Sequence, residues 1–425
     1  MSETIIFYNL MSKIVSILSV VVFVCFSCSQ SRERSSRFSE DQIAQLCLND
    51  VKPLVIFNNN SLKLNINDFM KDNVVFISEF VDSIRFIQLQ TTKESLIGGI
   101  SKLISVDKYF FILDFDIGKN VLIFSDDGSF IKKINTGQGP QEIFRPQDIA
   151  VDEDQQHLIV YHRTGLSFYD YRGDFVKKEL VPFYFNNFRV LSDGYLFISN
   201  PQIYNIHLRG VSEMQVFITD KKFRIISAGL PFHYSKSLNY SINDYTSSLG
   251  KKVNFAFKFS NKVYEYVDTL SVKEKYQLDF SKKGLPEKYL EMDTREVLKA
   301  LKDNDYYFFM GDYIENDTHE FMLIRNHSKK VYHTLIFRDK MNGKLQGGNM
   351  LSPDNDHNLL FAAPLTAYKS EFIGGFEASY IHFVLSELQQ NEKYKMEFDR
   401  MNALFSDLKE DANPVLVKYK LKNFN

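Results

Sequence analysis

Along most of this chain, short apolar-rich runs alternate with clusters of turn-forming residues, a pattern of strands rather than of long helices. From residue 100 the alternation becomes regular. Residues 100–106, 109–115, 120–125 and 129–135 predict four strands, with Asp126-Asp127-Gly128 as the tight turn before the last. After a loop at 136–147 the series returns at 148–151, 157–162, 166–171 and 174–180, and Tyr171-Arg172-Gly173-Asp174 stands where the first turn stood. Gly128 and Gly173 are 45 residues apart, the length of one four-stranded propeller blade. A third unit follows at 188–191, 195–199, 214–219 and 223–227, with Asp220-Lys221-Lys222 in place of the glycine turn and an insertion at 200–213. Later units are blurred. Residues 253–259, 262–267 and 274–280 suggest a fourth, 306–310, 321–325 and 331–338 a fifth, and 359–363 the start of a sixth.

Two stretches break the strand pattern. Residues 286–302 place Leu290, Val297, Leu298 and Leu301 at near-helical spacing behind Pro286, and 379–408 does the same with Leu385, Leu388, Met401, Leu404 and Leu408. Both predict helical insertions on the rim. A propeller must close, because an open ring leaves a bare strand edge. The unassigned strand at 84–90 is therefore expected to pair with the last strand, 415–421. The predicted fold class is all-β: a six-bladed β-propeller of four-stranded blades over 84–425, preceded by a lead-in segment at 51–83 and a tether at 29–50.

The N-terminus adds an address. Met11-Ser12-Lys13 is followed by an apolar run at 14–26, then Ser27-Cys28 and the polar Ser29-Gln30-Ser31-Arg32. The run is shorter than the about 20 residues of a spanning helix and reads as a secretory signal over 1–28. Ser27-Cys28 resembles a bacterial lipobox, and that resemblance implies lipidation of Cys28 and a membrane anchor. Removal of the signal leaves Cys47 as the one ordinary thiol.

Composition changes little. With 51 basic and 53 acidic residues the chain carries a formal charge of −2, which gives no footing for a polyanionic partner, so nucleic acid is not expected. The 39 Phe and 23 Tyr favour pleated, half-buried surfaces.

Four segments carry a resemblance: Val81-Asp82-Ser83-Ile84-Arg85-Phe86-Ile87-Gln88-Leu89, Glu94-Ser95-Leu96-Ile97-Gly98, Gly137-Gln138-Gly139-Pro140 and Asn413-Pro414-Val415-Leu416-Val417. Together they resemble the six-bladed β-propeller lipoproteins of Bacteroidetes, distantly similar to NHL-repeat propellers. The resemblance implies export, an outer-membrane lipoprotein facing either the periplasm or the outside, and this architecture, but no particular activity.

The chemical candidates are few. Gly137-Gln138-Gly139-Pro140 lacks the Lys-Ser/Thr end of a phosphate loop and reads as a blade crossing. His157, His162 and His207 have no metal-ligand spacing, Asp114 and Asp116 lack the offsets of a calcium loop, and no Gly-x-Ser-x-Gly elbow occurs. No catalytic residue, metal site or cofactor is assigned. Arg145, Asp148 and Arg189 lie at or near the starts of predicted innermost strands, where charges either meet a ligand in the central channel or pair across blades. The expected function is a non-enzymatic ligand-binding or protein-interaction module in glycan or nutrient uptake, with a glycan or a protein as partner. The alternative is a propeller hydrolase or lyase with a polar or metal site at the channel mouth.

Overall fold

A computed structural model describes residues 37–59, 61–70, 74–162, 165–199, 205–232, 246–326, 332–354, 360–390 and 392–424. The signal segment and Cys28 lie outside the described residues. Six four-stranded antiparallel sheets are arranged as the blades of a propeller. Blade 1 runs Lys102–Val106, Tyr109–Asp114, Asn120–Ser125 and Phe130–Lys133, from the innermost strand outward. Blade 2 repeats this with Pro146–Asp152, His157–His162, Gly165–Asp170 and Phe175–Leu180. The outer hairpins of both need a residue in the left-handed region, supplied by Gly128 (φ +92°) and Gly173 (φ +84°). In blade 3 Phe223 (φ 63°) takes that place, and its buried ring stacks on Tyr195 at 5.2 Å.

Blade 3 comprises Asn187–Val190, Gly194–Ile198, Met214–Asp220 and Ile225–Pro231. Blade 4 comprises Thr246–Leu249, Lys252–Ala256, Lys262–Asp268 and Ser271–Asp279, and blade 5 Tyr307–Glu315, His319–Asn326, Tyr332–Asp339 and Leu345–Gly348. Blade 6 is built from both ends of the domain. Thr366–Tyr368, Glu371–Phe376 and Val415–Leu421 are completed by Val81–Gln88, with Val417 opposite Phe86 and Tyr419 opposite Ile84. The innermost strand of blade 6 starts at Thr366, and of the strand expected at 359–363 the described residues 360–363 are not in one. Leu360 is instead buried under a helical hairpin with Ala378 and Ile381.

That hairpin is the second helical insertion, made of two helices, Ala378–Gln389 and Lys395–Phe405. The first insertion is also shifted. After a 3-10 turn at Glu287–Tyr289, the α-helix spans Thr294–Asn304, started by a capping box in which Asp293 accepts from the backbone N–H of Glu296 at 3.0 Å.

Residues 46–59, 61–70 and 74–80 are laced around the outside of the ring. Lys52–Pro53 adds a parallel strand to blade 3, and Val55–Phe57 and Leu62–Asn65 add parallel strands to blade 4. Val74–Phe76 pairs in parallel with Met350–Ser352 beyond blade 5. Each crossing drops an apolar side chain into a seam. Leu46 joins the core between blades 2 and 3, Leu54 that between 3 and 4, Leu64, Ile66 and Met70 that between 4 and 5, and Ile77 and Phe80 that between 5 and 6. This strap thus replaces solvent along the outer edges of half the ring.

The closing seam between blades 6 and 1 is held by Asn413, which is almost wholly buried. Its side chain donates to the carbonyls of Gln90 (2.9 Å) and Ser95 (2.8 Å) and accepts from the Ile97 N–H (2.9 Å). Its own N–H donates to Thr91 Oγ1 at 2.9 Å. One side chain thereby satisfies three backbone groups that no strand reaches.

Candidate functional site

The innermost strands run side by side around a central channel, and all six line one cavity of about 710 Å³. It occupies the end of the channel where these strands finish, at Val106, Asp152, Leu249, Glu315 and Tyr368. It extends into the groove between blades 2 and 3, over Phe168, Lys177, Tyr195 and Lys221. The size suits a ligand of a few sugar or amino-acid units.

Most charges on the wall are engaged. Lys102 lines the cavity and forms a buried ion pair with Asp148, Nζ to Oδ1 2.6 Å. The other Asp148 oxygen accepts from the Phe188 N–H at 3.0 Å, so this carboxylate of blade 2 ties blade 1 to blade 3. Arg189 carries the chain of contacts onward: its guanidinium donates to the carbonyls of Phe188 (2.9 Å) and Thr246 (2.8 Å). Thr246 belongs to blade 4, so Arg189 forms the next tie as well as part of the cavity wall.

The three residues singled out by sequence are therefore not one cluster. Arg189 lines the cavity; Asp148 lies behind the wall and reaches it through Lys102. Arg145 precedes the first residue of the same strand, at the opposite mouth, exposed, left-handed (φ 51°), with its guanidinium 5.4 Å from the Phe144 ring centre.

Between blades 4 and 5 lies a buried polar cluster absent from the sequence reading. Glu315, which also lines the cavity, accepts from Lys275 (2.5 Å), Lys340 (2.6 Å) and Asn254 (2.9 Å), and shares the single Tyr313 hydroxyl hydrogen (3.2 Å) with Glu320. Burial opposes its negative charge, but Lys275 and Lys340 overcome this and hold its carboxyl down at about 2. Beside it Glu320 accepts from Tyr276 (2.8 Å), Tyr313 (3.0 Å) and Arg338 (3.0 Å). With its oxygens taken up by three donors and a shared hydroxyl, Glu315 is suited to fixing the wall rather than to acid–base chemistry.

Two groups at the cavity have spare capacity. Ser247 Oγ, on the wall, is buried without a hydrogen-bond partner. Where the innermost strand of blade 2 turns into its hairpin, Asp152 lies 3.7 Å from Lys221 of blade 3 and Asp154 3.2 Å from Lys251 of blade 4, while Glu153 between the two acids has no ion-pair partner among the described residues. The described residues contain no group of three or more His, Cys, Asp or Glu that could hold a metal ion, and no helix long and apolar enough to cross a membrane.

Comparisons with known proteins place this geometry. The sequence profile of the family described as DUF4934, a domain of unknown function, matches residues 61–420. Comparison with curated proteins returns no match. Among solved structures, a candidate exported protein of Bacteroides fragilis superposes with a TM-score of 0.67 at 17% identity, covering 87% of this chain and 100% of its own. A Bacteroides caccae protein of unknown function (TM-score 0.35, 10% identity, 59% of this chain and 81% of its own) is far more distant. So is the WD40 domain of Neurospora crassa Pan2 (TM-score 0.33, 10% identity, 60% and 65%). The first of these supports the six-bladed fold and nothing finer.

Proposed function

Taking as premise that this chain belongs to the DUF4934 family, we propose that it is an exported, membrane-anchored binding module that captures a small polar ligand, a glycan in nutrient uptake, in its central cavity. The observation that carries this reading is the cavity of about 710 Å³ to which every blade contributes, with polar groups fixed in place by cross-blade bonds. Such a wall is rigid before the ligand arrives, which lowers the ordering cost of binding. The unpartnered Ser247 hydroxyl and the half-buried ring of Tyr368 supply a polar handle and an apolar face, the combination a sugar requires. Capture is favoured over the hydrolase or lyase alternative because Glu315, the most buried carboxylate of the cavity wall, is held by donors from neighbouring strands and blades. Lipidation of Cys28 would hold the propeller in the cell envelope.

Calorimetric titration of the full chain in detergent against neutral and charged oligosaccharides tests the capture reading. Ala367 lies on the wall of the cavity, so Ala367→Trp is expected to abolish binding while leaving the fold intact, and Arg145→Ala, at the other mouth, to leave affinity unchanged. Turnover of any bound sugar would overturn capture in favour of catalysis. Metabolic labelling with palmitate, lost in Cys28→Ala, tests the anchor.

A further inference from the structure

Phe38, the second described residue, is buried with its ring centre 5.2 Å from that of Tyr184 and 5.2 Å from that of His207. Tyr184 lies in the connection from blade 2 to blade 3, and His207 in that between the second and third strands of blade 3. Each innermost strand runs toward the cavity and the strands of a blade are antiparallel, so both kinds of connection fall at the other end of the ring. The chain therefore enters the propeller on the face opposite the cavity mouth. Only eight residues separate Arg37 from Cys28, a reach of at most about 30 Å when fully extended.

The same face carries both helical insertions, Thr294–Asn304 between blades 4 and 5 and the hairpin between the second and third strands of blade 6. It also carries exposed apolar side chains spread around the ring. Leu96 precedes blade 1 and Ile117 joins its second and third strands, Ile206 stands in blade 3, Leu298 on the first insertion, and Phe383 and Leu404 on the hairpin, each 41–70% exposed. The hairpin is the clearest case. Residues 378–386 contain no Asp, Glu, Lys or Arg. Ile381 and Leu385 pack with Met401 and Val415 on one side of the helix. Tyr380 and Phe383, with ring centres 6.4 Å apart, are exposed on the other. A helix apolar on both sides suits an apolar medium on its outer side as well as a core on its inner one.

We propose that this face seats on a lipid bilayer, its apolar side chains entering the interfacial layer beside the anchor, so that the cavity mouth points away from the membrane. This rests on the membrane-anchored reading and adds which end of the ring meets the lipid. The course of the chain selects a bilayer as the occupant. The segment that would carry the acyl chains ends on this face, and its length keeps the face within reach of the surface. The exposed groups are also spread over several blades, where a protein partner would need them gathered in one patch with a polar rim. Aromatic rings such as Tyr380 and Phe383 suit the headgroup level. Seated in this way, the propeller receives its ligand from the aqueous side.

The chain contains no tryptophan, so a single introduced indole reports on its own surroundings. Phe383→Trp places one on the proposed seat, and Met341→Trp, at a position 76% exposed in the outer hairpin of blade 5, places one at the cavity end. Each variant of the full chain, exported by a host that lipidates it and purified in detergent, is reconstituted into phosphatidylcholine vesicles with and without brominated acyl chains, and emission is read from the fraction that floats with the vesicles. Phe383→Trp is expected to lose at least about half of its emission to the brominated lipid and to shift to shorter wavelength, and Met341→Trp to change by about a tenth or less. Ile117→Trp, at a position 70% exposed in blade 1, repeats the reading should Phe383→Trp melt below the parent. Flotation without quenching at either seat position overturns the seat, leaves the anchor standing and frees the face for a protein partner. Quenching of Met341→Trp equal to or greater than that of the seat reporters overturns it as well. If no variant floats, the anchor and the seat fall together.

Discussion

The outer strand of blade 1 reads Phe-Ile-Lys-Lys and that of blade 2 Phe-Val-Lys-Lys-Glu-Leu, whereas that of blade 3 reads Ile-Ile-Ser-Ala-Gly-Leu-Pro and that of blade 5 Leu-Gln-Gly-Gly. All four occupy the same place in the fold. The difference follows the strap, which passes outside blades 3 to 5 and not outside blades 1 and 2. A strand edge open to water must discourage pairing with other chains, and lysines do that. An edge already covered carries no such demand and can be apolar or glycine-rich. Blade 4 is the informative intermediate. Its outer strand keeps charges, but each is paired within the protein: Lys273 with Glu265 at the surface (2.7 Å), and the more buried Glu274 with Lys262 (2.8 Å) and Lys275 with Glu315 (2.5 Å). The two halves of the ring thus solve one problem in two ways, by charge and by cover.

The contrast can be broken most sharply on the strap. Phe80 is wholly buried in the seam between blades 5 and 6, while Ile131 is 37% exposed on the uncovered edge of blade 1. Phe80→Ala is expected to cost about 3–5 kcal/mol in denaturant unfolding of the full chain, and Ile131→Ala about 1 kcal/mol or less. Equal costs would show that the strap is not part of the cooperative ring. Asp148→Asn, which removes the carboxylate partner of buried Lys102, should approach the same scale, about 3–5 kcal/mol.

Glu315 gives a pH signature confined to the strapped half. Its folded pKa of about 2 lies below the ordinary 4.5, so its stabilisation is complete above about 4.5 and is lost as pH falls from there through 2. The loss amounts to about 3 kcal/mol. Glu315→Gln should flatten that part of an acid titration followed by circular dichroism, and an unchanged acid limb would assign it to other carboxylates. Asn413→Ala, at the closing seam, strands the Ser95 carbonyl and the Ile97 N–H and should cost about 2–3 kcal/mol by thermal melt. The smallest effect on stability is expected at Lys132→Val on the open edge, within about 0.5 kcal/mol. Light scattering of that variant should nonetheless show association that the same change in a covered strand does not produce.

Blades 1 and 2 were legible because each supplies all four of its strands consecutively and ends its third strand in a glycine turn. The later blades kept a different part of that turn. Asp170, Asp220, Asp268 and Asp339 each close the third strand of their blade. Each accepts from the backbone N–H two residues on, at Arg172 (3.0 Å), Lys222 (2.9 Å), Leu270 (2.8 Å) and Met341 (2.8 Å). The repeat was thus carried by an aspartate rather than by Gly. Two innermost strands escaped for another reason. Thr246–Leu249 reads Thr-Ser-Ser-Leu and Thr366–Tyr368 reads Thr-Ala-Tyr, because a strand that faces the channel has no need of an apolar run. At the site, position along an innermost strand singled out Arg189. Lys275, Glu315 and Lys340 come from blades 4 and 5 and in a sequence look like solvated strand charges, and only folding brings them to one cluster.

The strap has a further consequence for how this molecule is made. Its residues pair with partners far along the chain, Lys52 with Ser227, Val55 with Ser271 and Val74 with Met350, and the strand that follows it waits for Val415–Leu421. A chain that emerges from synthesis or a translocation pore N-terminus first therefore presents the strap before anything exists for it to hold. Blades 1 and 2 can assemble locally, but the ring cannot finish until nearly the last residue has arrived. Such distant pairings place the search for closure in the rate-limiting step. Folding is expected to be slow and late, and passage across a membrane in the unfolded state is then favoured by the timing of the chain itself.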